Sequence, residues 1–321
     1  MNNSKLRLLY LYDLFKLYTS EEHPIKMPEI IDYLGDLNIQ AERKSIYSDI
    51  EALKSWGLDI LYSTSSPIGY FLSSSDFEMI EIKILIDAIS SSEFLTKKKT
   101  TSLNQRLLTL LNKYDQEEVS KQILLSSKKF KNEQVYYTLD ILQKAISTNM
   151  SIRFKYFDLI QNQERKYRRN AEFYSLIPYA LLYENERYYC IGYSCKHDSF
   201  SHYRIDKMDA IELIDKTEKL RFNLQQYQAT NFNMSIGQVE TITLEVDESL
   251  ISTVYDSFGQ DIIIQKFANG IYTISLQTTS SLPFISWLLQ FKTKIKVISP
   301  QSLVDEITLL LKDMLSYYTC N

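Results

Sequence analysis

Glycine and proline are scarce in this chain, seven and six among 321 residues, which excludes Gly-rich phosphate loops and favours helices and plain strands. Cysteine is scarce and odd in number: Cys190, Cys195 and Cys320 do not make a disulfide framework and fit a reducing cytoplasm. Only His23, His197 and His202 represent histidine, and no Ser-His-Asp order or paired-carboxylate motif accompanies them, so no enzyme is expected. No run approaches about 18 apolar residues, so no membrane span is expected. The amino terminus carries Lys5, Arg7 and Asp13 inside its apolar pattern and lacks the unbroken core of a signal peptide. Positive charge is also lacking: the net is -4, so any nucleic-acid surface has to be local.

What is present describes a globular protein, 45% hydrophobic and 24% charged, long enough for two or three domains. Its 24 tyrosines accompany abundant Ile, Asn and Lys, the usage of an A+T-rich genome, and need no special function.

Residues 4–18 place Leu6, Leu9, Tyr10, Leu14 and Leu17 at helical spacing, and Ser20 to Pro24 break the pattern. A second helix is expected from Pro28, burying Ile30, Ile31 and Leu34. After a short turn comes a third, Glu42 to Leu53. At 100° per residue its Ile46, Ile50 and Leu53 fall within about 60°, with Lys44, Tyr47, Ser48, Glu51 and Ser55 on the other side. A solvated surface helix has the same stripe, so the neighbours decide. Trp56-Gly57 stops the helix, and Leu58 to Tyr62 and Gly69 to Leu72 read as a hairpin around Ser63 to Pro67. Three helices and a hairpin in residues 1–75 describe a winged helix-turn-helix, whose second paired helix enters the major groove.

Residues 76–149 read as a helical connector and dimerisation segment, too apolar for disorder, with helices around 117–125 and 134–148. The run Lys97-Lys98-Lys99 is most simply a solvated approach to a helix. At Met150 the period becomes two: Ile152, Phe154 and Tyr156 alternate with Arg153 and Lys155. Further strands are expected at 173–183, 187–193 and 200–206, with Glu184 to Glu186 as a tight turn, making 150–220 a small bent, barrel-like sheet. Residues 221–321 read βαββαβ plus a helix, a ferredoxin-like order with an Asn269-Gly270 turn. The fold class is therefore α+β and multidomain.

Two clusters carry chemistry. The third helix offers Arg43, Lys44, Ser45, Tyr47 and Ser48 to phosphates and base edges of double-stranded DNA. Residues 1–75 hold 7 Lys and Arg against 10 Asp and Glu, so a single copy would bind modestly and a homodimer is expected. The second cluster is Arg153, Lys155, Arg165, Lys166, Arg168 and Arg169, a local +4 over 151–170, near Tyr156, Tyr167, Tyr189, His202, Tyr203 and Arg204. Cations beside exposed rings suit single-stranded nucleic acid, and a solvated sheet face with core tyrosines accounts for the same residues. Cys190, Cys195, His197 and His202 lack the paired spacing of a structural zinc site, so no metal or cofactor is expected.

Three stretches carry a family likeness. Arg43-Lys44-Ser45-Ile46-Tyr47-Ser48-Asp49-Ile50-Glu51-Ala52-Leu53 follows an arginine, threonine, tyrosine, arginine-aspartate, leucine pattern, with Ser48 in place of the arginine. Ile177-Pro178-Tyr179-Ala180-Leu181-Leu182 precedes Tyr188-Tyr189-Cys190, where a tryptophan-tyrosine-leucine triplet would stand and only the central tyrosine is kept. Tyr203-Arg204-Ile205-Asp206-Lys207-Met208 matches an aromatic, arginine, apolar, aspartate, basic, apolar stretch. In that order and spacing the chain resembles the bacterial WYL-domain transcriptional regulators over essentially its full length. The resemblance implies a cytoplasmic, DNA-binding homodimer whose WYL domain, an Sm-like barrel, senses a nucleic acid or nucleotide. It makes Tyr189 and Arg204 the first ligand contacts, with Arg153, Lys155, Arg168, Arg169, His202 and Tyr203 beside them. The alternatives are a nucleic-acid-processing accessory protein and a protein-interaction module without operator binding.

Overall fold

The computed structural model describes residues 4–218, 239–260, 262–268 and 270–319. Outside the described residues lie Cys320, Asn269 of the Asn-Gly turn, Asp261 at the start of an expected strand, and the 220/221 segment boundary. The chain divides into two compact units, Met1–Glu133 and Gln134–Asn321.

In the first unit α1 (Ser4–Tyr18), α2 (Met27–Asp36) and α3 (Arg43–Trp56) precede an antiparallel hairpin of β1 (Ile60–Ser63) and β2 (Gly69–Leu72). Pro28 lies in the first turn of α2, where a missing N–H costs nothing, and Glu29 accepts a 2.6 Å bond from the Lys26 N–H. Gly57 ends α3 at φ 117°, a left-handed conformation that a side chain would strain. Leu11, Leu14, Phe15, Ile30, Leu34, Ile46, Ile50, Leu53 and Ile60 form the core. Leu6 and Leu9 do not join it and are 49% and 60% exposed. Helix α1 carries two apolar stripes, and the one through Leu11, Leu14 and Phe15 is buried.

The same unit continues with α4 (Met79–Ser91), α5 (Lys97–Leu108) and α6 (Lys113–Lys121), packed through Ile82, Ile86, Leu111 and Val119. The lysine run is the exposed first turn of α5, with the Thr96 hydroxyl accepting a 3.1 Å bond from the Lys99 N–H.

In the second unit α7 (Gln134–Thr148) packs on an antiparallel sheet. Its strands are β3 (Met150–Leu159), β4 (Arg165–Tyr167), β5 (Tyr174–Glu184), β6 (Arg187–Ser194), β7 (Ser199–Arg204) and β8 (Met208–Lys216). Their order is β4-β3-β5-β6-β7, with β8 also paired to β3. Alternation holds on β3, where Ile152, Phe154 and Tyr156 are buried and Arg153 is exposed. Asn185 and Glu186, at φ 49° and 58°, make the two-residue turn between β5 and β6. Strands β4 and β8 were not expected from the sequence. Three residues carry no measurable period, and register shifts in the β3–β8 pairing break the alternation of β8.

The remaining elements are β9 (Val239–Asp247), α8 (Ile251–Phe258), β10 (Ile263–Ala268), β11 (Ile271–Thr279), α9 (Leu282–Leu289), β12 (Ile295–Ser299) and α10 (Gln301–Thr319). The expected βαββαβ succession is present, with antiparallel strand order β10-β11-β9-β12 around Ile242, Leu244, Val246, Val254, Ile274, Phe284 and Leu303.

Gly192 of β6 sits where a side chain has no room. A Cβ there would lie 2.5 Å from Leu176 Cγ and 2.7 Å from the Ile177 carbonyl oxygen. Backbone cannot yield as a side chain can, so Gly192→Ala should destabilise the unit by about 1–3 kcal/mol, read as a lower urea midpoint at unchanged slope.

Candidate functional site

The buried stripe of α3 turns its other face outward: Arg43, Lys44, Tyr47 and Ser48 are exposed, while Ser45 is half-buried. The Arg7 guanidinium donates to the Asp49 carboxylate at 2.5 Å and ties α3 to α1. The hairpin joins the same surface through rings. Tyr47 lies 6.5 Å from Tyr70 of β2, which lies 4.7 Å from Tyr62 of β1. Tyr62 is 52% and Trp56 71% exposed, so this face presents rings as well as cations. Sequence reasoning passed over Tyr62, Tyr70 and Trp56. The pairing Tyr62↔Tyr70 is visible only once the hairpin register is known.

The eight residues expected to form the second site do not come together as one surface. Antiparallel register places Tyr189 opposite Arg204 and Ile191 opposite His202 on one face of β6 and β7. Tyr203 pairs with Cys190 and points to the opposite face. There its ring lies 5.1 Å from Phe154, 5.3 Å from Tyr156 and 5.6 Å from Tyr174. Arg153 and Lys155 leave the outer side of β3, over Phe173 at 5.0 and 5.3 Å.

The expected exposed rings are a further correction. Tyr156 is buried, and Tyr167, Tyr189 and Tyr203 are half-buried, because alternation on a curled sheet turns one set of rings into the core. Nor is the local +4 an open cationic surface. Arg153 binds Glu212 at 2.7 Å and Arg165 binds Asp209 at 3.0 Å. Arg168 holds Asp158 with two bonds of 2.6 and 3.1 Å, and Lys207 adds a third at 2.8 Å. Arg204 grips Asp206 with bonds of 3.1 and 2.7 Å. These carboxylates lie mostly after residue 200, so a 20-residue window could not reveal them. Over 150–216 the chain holds eleven Lys and Arg against ten Asp and Glu, a net of +1.

The electrostatics follow. Arg168 and then Lys207 hold Asp158 down at about 2. Burial pushes the Tyr156 hydroxyl up to about 12, and that oxygen accepts the Arg204 N–H at 3.2 Å. Burial also holds His202 down at about 4. Arg169 differs from Arg153, Arg165, Arg168 and Arg204: it has no carboxylate partner among the described residues. Its guanidinium lies 4.3 Å over the Tyr174 ring and donates to His197 Nε2 at 3.0 Å. Arg169, Asn170 and Ala171 all have positive φ, 50°, 52° and 64°, a conformation costing about 1–3 kcal/mol at a non-glycine residue.

Residues 137–213 match the family model of the WYL domain, and residues 238–315 that of the WCX domain. The chain carries a WYL domain followed by a WCX domain. Among solved structures it is similar to proteasome accessory factor B/C (PafBC) of Arthrobacter aurescens, at 15% identity and a TM-score of 0.30. That match covers 98% of this chain and 49% of PafBC, so the chain spans about half the length of that protein. No curated protein sequence matches. Within the WYL domain, Tyr188, Tyr189 and Cys190 lie on β6, and Cys190 is fully buried. No His, Cys, Asp and Glu cluster of metal-binding shape occurs among the described residues.

His202 supplies a test of this geometry. Its folded value near 4 lies below the ordinary 6.5, so the unfolded chain binds the extra proton between those values. Its contribution to stability should be complete above about pH 6.5 and fall as pH drops towards 4. Urea midpoints measured from pH 7 to 4.5 should fall for wild type relative to His202→Phe as the pH drops. Parallel curves would contradict the assignment. Asp158, depressed to about 2, acts separately: its contribution is present above pH 4 and is lost as pH falls through 2.

Proposed function

We propose that this WYL-domain protein is a DNA-binding transcriptional regulator in which α3 reads the major groove of an operator, β1 and β2 form the wing, and the WYL domain senses a ligand that modulates binding. The observation that carries the reading is the pairing of an exposed Arg43, Lys44, Tyr47 and Ser48 face with a hairpin joined to it through Tyr47, Tyr70 and Tyr62. In this reading residues 1–75 are the winged helix-turn-helix domain and 76–149 a connector and dimerisation segment. Residues 150–220 are the sensing domain and 221–321 a ferredoxin-like extension. Arg43 and Lys44 contact phosphate or guanine, while Tyr47 and Ser48 contact phosphate or base edges. Ser45, half-buried, takes a minor part.

Because residues 1–75 are net negative, affinity has to be shared between two copies. Ile80 and Ile84, one helical turn apart on α4, are 55% and 61% exposed and support a second copy as the occupant of that face. Sedimentation should give a dimer that Ile84→Lys shifts towards monomer without changing the circular dichroism spectrum.

The DNA reading is tested on the promoter adjoining the protein's own gene. Lys44→Ala with Tyr47→Ala should weaken binding by about tenfold or more at fixed salt, and loss of the lysine contact should lower the slope of affinity against log salt by about 1. Unchanged affinity would turn the reading towards a protein-interaction module, which the acidic balance of residues 1–75 favours.

A further inference from the structure

Two turns face each other at one end of the WYL sheet, Arg169 to Ala171 before β5 and Ser194 to His197 between β6 and β7. Between them is a cavity of about 260 Å³. Tyr174, Tyr203 and Tyr193 give its aromatic walls, and Leu176 and Ile177 its apolar lining. Arg169, Lys196 and His197 line it as well, with Glu172 as the one acidic residue. Ser151, Ser175, Ser194 and Thr217 complete a lining that mixes aromatic and apolar surface with hydrogen-bonding groups, as a site for a small amphiphilic molecule requires.

The charges distinguish it from the rest of the sheet. Arg153, Arg165, Arg168 and Arg204 are each matched to a carboxylate of the protein. Arg169 has no such partner among the described residues; it donates to His197 Nε2 at 3.0 Å. The guanidinium therefore keeps donors for an anion, while stacking on Tyr174 fixes its plane. Three successive left-handed residues hold Arg169 at this place, in a conformation that persists only where surrounding contacts enforce it.

We propose that this cavity binds a small planar molecule bearing one anionic group, its ring against Tyr174 and Tyr203 and its anion on Arg169 and Lys196. The inference deepens the sensing role proposed above and rests on it only for the consequence of binding. It also moves the ligand away from Arg204 and Tyr189, whose guanidinium is engaged by Asp206 and whose ring lies on the opposite face of β6 and β7 from Tyr203.

Calorimetric titration of the full chain tests it with two probes that share this chemistry, adenosine monophosphate and 4-hydroxybenzoate; inorganic phosphate and adenosine serve as the charge-only and ring-only arms. Either probe should bind more tightly than the arm that lacks its ring or its charge, and whichever binds better names the source of the ligand. Arg169→Asn keeps a residue that tolerates left-handed backbone and removes the charge; Lys196→Gln removes the second cation from an ordinary exposed position. Each should weaken the preferred probe by about tenfold or more, the size of a lost charge-assisted contact, whereas Arg153→Gln should leave it unchanged. No binding of either probe, binding of phosphate alone as tightly as the nucleotide, or binding indifferent to both variants would overturn the site. DNA binding measured in the same titrations separates the two proposals. A probe held through Arg169 that leaves DNA affinity unaltered refutes sensing and keeps the site. A probe response undiminished in both variants refutes the site and keeps sensing.

Discussion

Four rings, Phe154, Tyr156, Tyr174 and Tyr203, meet inside the WYL sheet at centroid distances of 5.1 to 6.3 Å, mostly edge to face. Strand β3, which supplies two of them, is not hydrogen-bonded to β7, which supplies Tyr203. Rings can meet across strands that do not pair only if the sheet curls, so this contact fixes the shape on which the rest depends. Edge-to-face pairs contribute about 0.5–1.5 kcal/mol beyond the area they bury, and they favour a narrow set of ring orientations. Gly192 answers to a nearer constraint: it pairs with Pro178 of the adjacent strand β5, and Leu176 and the Ile177 carbonyl oxygen of that strand leave no room for a side chain.

The cations are arranged by these rings. Arg168 lies 5.3 Å over Tyr156 and Arg169 4.3 Å over Tyr174, so consecutive arginines cap neighbouring rings. Their fates then diverge. Arg168 meets Asp158, itself shared with Lys207, and becomes part of a structural network. Arg169, turned by positive φ, stacks on Tyr174, donates to His197 and borders the cavity. The Tyr156 hydroxyl completes the link by accepting the Arg204 backbone N–H, so the Tyr203 ring and the end of the β7 backbone are both anchored to one buried residue.

Local rules made much of this legible in the sequence, and nonlocal ones hid the rest. The stripe Ile46, Ile50, Leu53 located α3 because periodicity is a property of a few adjacent turns, and Asn185 marked the turn from Glu184 to Glu186 because asparagine tolerates left-handed backbone. The βαββαβ order was readable because its core strands alternate cleanly. What failed was anything set by register across distant segments. The +4 over 151–170 looked like a binding surface because Asp209 and Glu212 lie 44 and 59 residues from the arginines they bind, Arg165 and Arg153. Tyr189 and Tyr203 looked like neighbours in one site because a motif has no faces. Pairing Cys190 with Tyr203 and Tyr189 with Arg204 sends the two rings to opposite sides. Arg169 stood among the expected ligand residues on charge alone, and its positive-φ turn, which no count of neighbouring charges reveals, sets it apart from Arg168.

These features constrain how a proposed sensor could work. A ligand shifts a conformational equilibrium only by its difference in affinity for the two states, and a coupling of about 1–3 kcal/mol changes DNA affinity about 5–150-fold. The ring cluster is a poor source of that difference, since it is densely packed and any alternative arrangement would open the curl. The Arg169 to Ala171 turn is a better one. Its three left-handed residues store strain of the required size and are held by surface contacts to Tyr174 and His197. A ligand bridging Arg169 and Lys196 would favour the strained form, and its absence would let the turn relax at little cost to the core. Regulation in such a protein would then begin in a loop, with the packed sheet serving as the fixed frame against which that loop moves.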